Sequence, residues 1–175
     1  MRIGIFSSSR DISVELYGNE IKKVMNIICD FSKKKPIHIM YGGGNKGLMG
    51  VVKETSVELS IPITGHNLKK WCVDPKDIIY PNLLERQQGI VKNSDVYIAF
   101  PGGVGTVYEM VQIMAHNDVE RIEKPILIYN VDNFFTTFID FIDEMKGSGF
   151  IDFHMNVSVA STPEEVYEWL YKLVI

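Results

Sequence analysis

The residues with the clearest chemical potential lie in two glycine-rich segments. The first reads YGGGNKGLMG over residues 41–50, and the second reads PGGVGT over residues 101–106. Each follows a strand-like run and precedes helical spacing, so its glycines let a ligand approach bare N–H groups at a helix start. That helix start adds unpaired donors and about half a positive charge. A tight loop with a helix cap would explain one such turn, but two favour an anionic ligand, with phosphate as the prediction.

Three better-known motifs do not fit these segments. Gly42, Gly44 and Gly47 match G-x-G-x-x-G, but residues 61–73 contain no acidic residue to hold the ribose of a dinucleotide. A P-loop needs Gly-Lys-Ser or Gly-Lys-Thr, whereas Lys46 precedes Gly47 here. The chain also lacks the G-x-S-x-G pattern of a nucleophile elbow. The motifs therefore disfavour a dinucleotide enzyme, an ATPase and a serine hydrolase.

Glu109 is the first candidate catalytic residue. Thr106 and Glu109 form T-x-x-E, the pattern of a helix capping box, and Thr162 and Glu165 form the same pattern. Simple capping is the prediction for Glu165, which follows a proline at the first helical position. Glu109 differs because it stands beside a glycine turn. A carboxylate one turn inside that helix would point at the group attached to the phosphate, which in a nucleotide is the ribose.

Arg86 is the second candidate. Its spacing of three residues from Leu83 predicts that the two share one helix face. A surface arginine paired with Glu85 or Asp95 is the simpler interpretation. If Arg86 is buried near the sheet edge, its guanidinium needs a partner, which a nucleotide or Glu109 could provide.

The elements that must position these residues alternate along the chain. Strands are predicted at residues 2–7, 37–41, 62–65, 95–100, 125–129 and 157–160. Helices are predicted at residues 14–33, 46–59, 82–93, 105–117, 134–146 and 163–173. The alternation predicts an α/β fold, a Rossmann-like doubly wound parallel sheet with helices on both faces, in a single domain over residues 1–175. In such sheets the ligand lies outside the carboxyl ends of the strands.

Composition limits the function classes. The chain has 175 residues, 46% of them hydrophobic, and a formal net charge of -4 without a basic block, so we expect no nucleic-acid partner. The longest apolar run, residues 96–100, is far below the roughly 20 residues that cross a bilayer, so we expect no membrane partner. The N-terminal apolar stretch is too short for a signal peptide. Cys29 and Cys72 do not form a disulfide framework, which favours a cytoplasmic location.

Two further patterns bear on partners and metals. Residues 105–117 are apolar on almost every side, so one face of this helix can meet the sheet and the rest a second subunit. The four histidines lie on unrelated elements without metal-ligand spacing, so we expect core or surface roles and no metal site; they are His38, His66, His116 and His154.

The motifs together resemble a known family. YGGGNKGLMG, ERQQ and PGGVGTVYE, in this order on one small α/β domain, resemble the Lonely Guy family of phosphoribohydrolases, often misnamed lysine decarboxylases. The similarity extends from IGIFSSS at residues 3–9 to PILIYN at residues 125–130. It implies hydrolysis of the N-glycosidic bond of a nucleoside 5'-monophosphate, giving free base and ribose 5-phosphate. Cytokinin nucleotides are the family's named substrates, AMP is a further candidate, and no metal or organic cofactor is implied.

The resemblance also assigns residues. Arg86 and Glu109 match the family's catalytic arginine and glutamate. A carboxylate would stabilise the positive charge that builds on the ribose, and Arg86 could fix that carboxylate or neutralise charge on the substrate. The resemblance implies that Gly103, Gly105 and Thr106 hold the phosphate. Further contacts with the substrate are expected from Ser8, Gly43, Gly44, Leu83 and Val104. Members are usually homodimers or larger assemblies, so a homodimer or a higher homo-oligomer is expected.

Three segments depart from the family pattern. Residues 83–87 read LLERQ where members usually carry Met-His-Glu-Arg-Lys, and residues 7–10 read SSSR instead of Cys-Gly-Ser-Ser. Residues 116–118 read HND where Trp-Ala-Gln is usual. We expect these positions to lie around the base, which leaves the base open. The alternative function is a non-catalytic nucleotide-binding or sensing protein of the same fold.

Overall fold

The computed structural model describes residues 1–72, 74–151 and 155–174. Across these residues, seven strands form one parallel sheet in the order β4-β3-β2-β1-β5-β6-β7. The strands are β1 (Arg2–Phe6), β2 (His38–Tyr41), β3 (Ile63–Leu68), β4 (Ile78–Tyr80), β5 (Val96–Ala99), β6 (Ile126–Tyr129) and β7 (Val157–Ala160). The α-helices are α1 (Ile12–Ser32), α2 (Gly47–Glu58), α3 (Leu83–Asn93), α4 (Val104–Glu120), α5 (Thr136–Gly147) and α6 (Pro163–Lys172). The predicted doubly wound α/β fold is confirmed.

The sheet reverses its winding direction beside its central strand. β1 pairs with β2 on one side and with β5 on the other, and all these pairs are parallel. The two glycine turns follow β2 and β5, so both emerge at the same edge of the sheet, on either side of the turn after β1. This is the topological switch point at which open α/β sheets bind ligands.

Alternating side chains of the buried strands face two separate helix layers. Ile98 of β5 packs in one cluster with α1, α2 and α6, whereas its neighbours Tyr97 and Ala99 pack in a second cluster with α3, α4 and α5. Each fully buried aliphatic or aromatic side chain contributes about 1.5–3 kcal/mol relative to exposure. Burial on both faces explains why the strands are nearly all apolar, and it holds the sheet edge rigidly beneath the turns.

Two parts of the sheet differ from the prediction. β3 extends to Leu68, beyond the predicted end at residue 65, because it continues through His66 and Asn67. Strand propensity disfavours these polar residues, but both are buried and hydrogen-bonded. β4 has three residues at the sheet edge and exposes two isoleucines, so the sequence shows neither alternation nor a buried run there.

Both ends of α3 are fixed by side chains. The side-chain oxygen of Asn82 accepts a hydrogen bond from the N–H of Glu85 at 2.9 Å, which caps the first turn. At the other end, the ammonium group of Lys124 donates to the carbonyl groups of Val91 and Ser94 at 2.6 and 2.8 Å. A cation there satisfies the last carbonyls and complements the helix dipole. α3 therefore presents its buried residues from a fixed position.

None of the helices in the described ranges is both long and apolar enough to cross a membrane.

Candidate functional site

Contacts within the protein shape the first glycine turn. Gly42 lies against a guanidinium, and a Cβ there would stand 2.6 Å from Nη2 of Arg86. Gly43 has φ +75° and would bring a Cβ within 2.6 Å of the Asn67 amide nitrogen. Gly47 has φ +60° and packs directly on the backbone of the turn after β1. These positions need glycine because Arg86, Asn67 and a neighbouring turn approach the backbone closely.

The donors at the start of α2 are partly used by the protein itself. The N–H of Gly47 donates to Oδ1 of Asp11 at 3.3 Å, and the N–H of Met49 donates to the carbonyl of Ser8 at 3.1 Å. A carboxylate already lies near this helix end, where it complements the helix dipole. The first turn is therefore less open to an added anion than its glycine pattern predicts, and the predicted contacts from its glycines stay a prediction.

The second glycine turn leaves its helix start open. Gly103 is the N-cap of α4 and provides no side-chain cap. Within the described part of the chain, no acceptor binds the N–H groups of Val104, Gly105 or Thr106. A Cβ at Gly103 or Gly105 would meet nothing within 4 Å, and Val104 is 87% exposed. Free donors, open space and the helix dipole together make this helix start the better anion site.

Glu109 lies one turn further along the same helix and does not cap it. The residue is 8% exposed. Its Oε1 lies 3.6 Å from Nη1 of Arg86 and accepts a hydrogen bond from the side-chain amide of Gln87 at 3.2 Å. Both partners belong to α3, so the carboxylate joins α4 to α3 beside the open helix start. The prediction that Glu109 differs from a simple capping residue agrees with this geometry.

Arg86 is held by three groups from different parts of the fold. Its Nε donates to the carbonyl of His66 on β3 at 2.7 Å, and its Nη2 donates to the carbonyl of Gly42 after β2 at 3.1 Å. The ion pair with Glu109 completes the set. A desolvated guanidinium needs such partners, since an unpaired buried charge costs several kcal/mol, of the order of 3–5. Arg86 is therefore a fixed cation within the site.

The simpler interpretation of Arg86 is wrong. Asp95 pairs with Arg2 at 2.8 Å, and Glu85 belongs to the N-terminal cap of α3. The expectation that Leu83 shares the buried face is wrong as well, because Leu83 is 49% exposed at the first position of the helix. The helix has only begun at Leu83, and about half of this side chain is open to solvent.

Burial dominates the electrostatics of the site. Desolvation raises the pKa of Glu109, and the nearby Arg86 and the Gln87 hydrogen bond partly oppose that rise. Desolvation, followed by repulsion from Arg86, lowers the pKa of His66 to about 4. The His66 ring stacks on Tyr80 and shares a 2.9 Å hydrogen bond with its hydroxyl. Near neutral pH the imidazole is thus uncharged, and Arg86 is the cation that faces Glu109.

Ser8 connects the two glycine turns. Its N–H donates to the carbonyl of Pro101 at 3.1 Å, while its carbonyl accepts from Met49 at the start of α2. Its hydroxyl accepts a hydrogen bond from the N–H of Arg10 at 3.0 Å. The structure thus places Ser8 between the turns, with its hydroxyl engaged in a local turn of the backbone.

Residues 116–118 lie at the opposite end of α4 from the glycine turn. The buried Asn117 amide donates to the carbonyls of Lys124 and Met155 at 2.8 and 2.7 Å, and these residues precede β6 and β7. At about 1.5 Å of rise per residue, Asn117 lies about 20 Å along the helix from Gly103. Within one chain these residues therefore lie far from the start of α4, and the prediction that they surround the base stays a prediction. His154 lies outside the described residues.

Asn67 contributes to the site without having been predicted, and Gln87, one of the residues expected around the base, binds the Glu109 carboxylate. The Asn67 amide donates to the carbonyl of Gly43 at 3.0 Å and holds the first turn. Gln87 is 3% exposed and binds Glu109. A polar residue within a strand or on a buried helix face indicates a hydrogen bond inside the protein. The sequence does not show which group forms that hydrogen bond.

The residues of the site lie within the part of the chain that matches a known family. A family model described as possible lysine decarboxylase matches residues 37–170, which contain both glycine turns, Arg86 and Glu109. The chain belongs to this family.

Curated relatives are named as phosphoribohydrolases rather than as decarboxylases, which confirms the resemblance to the Lonely Guy family. Two proteins of Arabidopsis thaliana are named cytokinin riboside 5'-monophosphate phosphoribohydrolase. One is 28% identical over 166 residues, covering 90% of this chain and 71% of the relative. The other is 30% identical over 141 residues, covering 74% and 61%. A protein of Oryza sativa subsp. japonica named as a probable enzyme of this kind is 28% identical over 141 residues, covering 73% and 64%. The chain thus spans between 61% and 71% of the length of these relatives.

Solved structures share the fold. The molybdenum cofactor carrier protein of Chlamydomonas reinhardtii matches with a TM-score of 0.69 at 16% identity, covering 99% of this chain and 97% of that one. A molybdenum cofactor binding protein of Rippkaea orientalis matches with a TM-score of 0.67 at 19% identity, again covering 99% and 97%. At these identities the likeness shows the α/β architecture alone.

Proposed function

We propose that the protein is an N-glycosidase, a phosphoribohydrolase that converts a nucleoside 5'-monophosphate and water into free base and ribose 5-phosphate. One observation carries the proposal: a buried carboxylate, Glu109, lies one turn inside a helix whose first N–H groups are open to an anion. Membership of the family and the names of the relatives support the same reaction.

The geometry of α4 supports the roles of its first two turns. The 5'-phosphate binds at Gly103, Gly105 and Thr106, where backbone donors and the helix dipole attract it. Glu109 follows Thr106 by three residues, or about 4.5 Å of helix rise, which suits a group that faces the attached ribose. Binding energy from the phosphate then orients the glycosidic bond at the carboxylate.

Glu109 acts on the charge that develops during cleavage. As the bond between C1' and the base nitrogen breaks, positive charge builds on the ribose, and an adjacent carboxylate stabilises it. The same group orients water for addition to C1', while the proton released from water balances the charge on the departing base. Arg86 favours the ionised form of Glu109 and fixes its position, because its own guanidinium is tied to two backbone carbonyls.

A cytokinin riboside monophosphate or AMP is the proposed substrate. The names of the curated relatives support this class. Cleavage of the glycosidic bond through a carboxylate and a phosphate site needs no metal or organic cofactor, and none is proposed.

We further propose a cytoplasmic homodimer. Val104, Tyr108, Val111 and Val119 are exposed and lie at helical spacing along one side of α4, where a second copy would cover them. Cys29 and Cys72 are free thiols, which suits a reducing compartment. Sedimentation analysis of the wild type and of Val111→Asp tests the dimer, which we expect the charge to dissociate.

A nucleotide-binding or carrier protein is the second candidate function. The shared fold of the molybdenum cofactor carrier proteins favours it, since an open helix start can hold a phosphorylated ligand without turnover. The buried ion pair between Arg86 and Glu109 favours the hydrolase, because binding of a phosphate alone does not need a desolvated carboxylate nearby.

One assay separates the two functions. The protein is incubated with AMP, GMP, CMP, UMP and isopentenyladenosine monophosphate, and free base and ribose 5-phosphate are measured, with the matching nucleosides as controls. A hydrolase releases base from at least one nucleotide and much more slowly from its nucleoside. Tight binding without release would support the carrier and would overturn the hydrolase.

A further inference from the structure

Gln87 is a buried polar residue on the helix that carries Arg86. Its side-chain amide donates to Oε1 of Glu109 at 3.2 Å, and the residue is 3% exposed. The next residue, Gln88, has the same chemical type but is exposed on the outer side of α3. Two adjacent glutamines therefore occupy opposite environments, and one of them binds the carboxylate of the site.

The two groups from α3 approach the same oxygen of Glu109. Nη1 of Arg86 lies 3.6 Å from Oε1, and the Gln87 amide binds Oε1 as well. Among residues 1–72, 74–151 and 155–174, no hydrogen bond reaches Oε2. Two contacts to one oxygen restrict rotation of the carboxylate about its terminal bond, and the second oxygen is available to another group.

We propose that Gln87 is a positioning residue, which holds Oε1 of Glu109 through an uncharged amide so that Oε2 faces the reacting ribose. This role rests on the proposed hydrolase function. Because its amide binds the Glu109 carboxylate, Gln87 acts through Glu109 and contributes to turnover rather than to nucleotide binding.

The charges around Glu109 define what the amide contributes. Across the described residues, Arg86 from α3 is the charged group that faces Glu109, and the nearby imidazole of His66 on β3 is neutral. Both Arg86 and the Gln87 hydrogen bond oppose the rise in the pKa of Glu109 that burial causes. Loss of the amide therefore raises that pKa, whereas a cation at the same position lowers it.

The experiment compares Gln87→Met, Gln87→Lys and the matched control Gln88→Met with the wild type. We expect Gln87→Met to lower kcat about tenfold and to move the acid limb of the pH–rate profile up by about one unit, with KM within about twofold. Gln87→Lys should move the acid limb in the opposite direction, and Gln88→Met should leave it in place. A general packing defect would not shift the two Gln87 variants in opposite directions.

A second measurement does not need turnover. The carboxyl carbon of Glu109, assigned by its absence in Glu109→Gln, is titrated by NMR in each variant. Equal titration midpoints and equal acid limbs in the Gln87 and Gln88 variants would overturn the proposal. If the wild type releases no base from any nucleotide, the hydrolase function fails and the catalytic role of Gln87 fails with it. The titration then still decides whether Gln87 holds the carboxylate.

Discussion

The same four-residue pattern, T-x-x-E, begins two helices with different outcomes. In α6, Thr162 is the N-cap and accepts a hydrogen bond from the N–H of Glu165, whose carboxylate binds the Thr162 N–H in return. In α4, Thr106 lies three residues after the N-cap, and Glu109 points to α3 instead. The pattern in α4 is displaced by almost one helical turn, so its carboxylate cannot reach the helix start.

The residues before each pattern set this displacement. α6 begins with a threonine and a proline, which fix a cap at Thr162, and two glutamates fill its first turn. α4 begins earlier, at Gly103, and its first turn contains no acidic residue. A capped helix start with its own carboxylates repels an anion, whereas a glycine start without them accepts one. The position of the cap therefore separates a structural helix end from a ligand site.

The largest expected difference is between the same substitution at Glu109 and at Glu165. Glu109→Gln should lower kcat about 1000-fold, because it removes the negative charge that stabilises the ribose cation. Glu165→Gln should leave kcat unchanged within about twofold, since the amide oxygen can still cap the helix. Steady-state kinetics with the preferred nucleotide measures both. Base release by Glu109→Gln at the wild-type rate would remove Glu109 from the mechanism.

The next effect comes from making the first turn of α4 resemble that of α6. Gly105 occupies the position that Glu164 holds in α6. Gly105→Glu should raise KM about 100-fold through repulsion of the phosphate. It should also stabilise the helix by about 0.5–1 kcal/mol, because glycine is the weaker helix former. Thermal melting and kinetics test the two effects together, and Gly105→Gln controls for side-chain size. An unchanged KM in Gly105→Glu would place the phosphate elsewhere.

The pH dependence sharpens the contrast between the two carboxylates. Burial raises the pKa of Glu109 above its ordinary value of 4.5, so the active carboxylate becomes protonated at a higher pH than an exposed glutamate. The kcat should fall as pH decreases through that raised pKa, by about tenfold per unit below it. The profile should be the same in Glu165→Gln. An acid limb at or below 4.5 in the wild type contradicts the assignment of Glu109.

The smallest effect is confined to stability. Thr162→Ala removes the side-chain cap of α6 and should lower the free energy of unfolding by about 1 kcal/mol while kcat and KM stay the same. Urea denaturation and kinetics on one preparation provide the comparison. A large loss of activity in this variant would show that the α6 cap affects the site. That result would contradict the purely structural role assigned to this cap.

The sequence predicts the fold, the start of α4 and Glu109 better than it predicts the side-chain contacts within the site. Alternating strands and helices, with a glycine turn after two of the strands, place Glu109 and the start of α4 at the sheet edge. The burial of Arg86 depends on β3, because the carbonyl that binds its Nε belongs to His66 in the part of the strand that the pattern misses. The pairing of Gln87 with Glu109 depends on how two helices pack, and short-range spacing contains no information about that angle.

The three-way anchoring of Arg86 links catalysis to the integrity of the sheet edge. Its guanidinium joins the turn after β2, the backbone of β3 and the carboxylate on α4, three segments that are far apart in the chain. Local opening of β3 and β4 at the edge would release one of these attachments while the central strands remain paired. A molecule in that partly opened state would keep most of its hydrogen-exchange protection and still lack a fixed arginine, so activity would be lost before the fold.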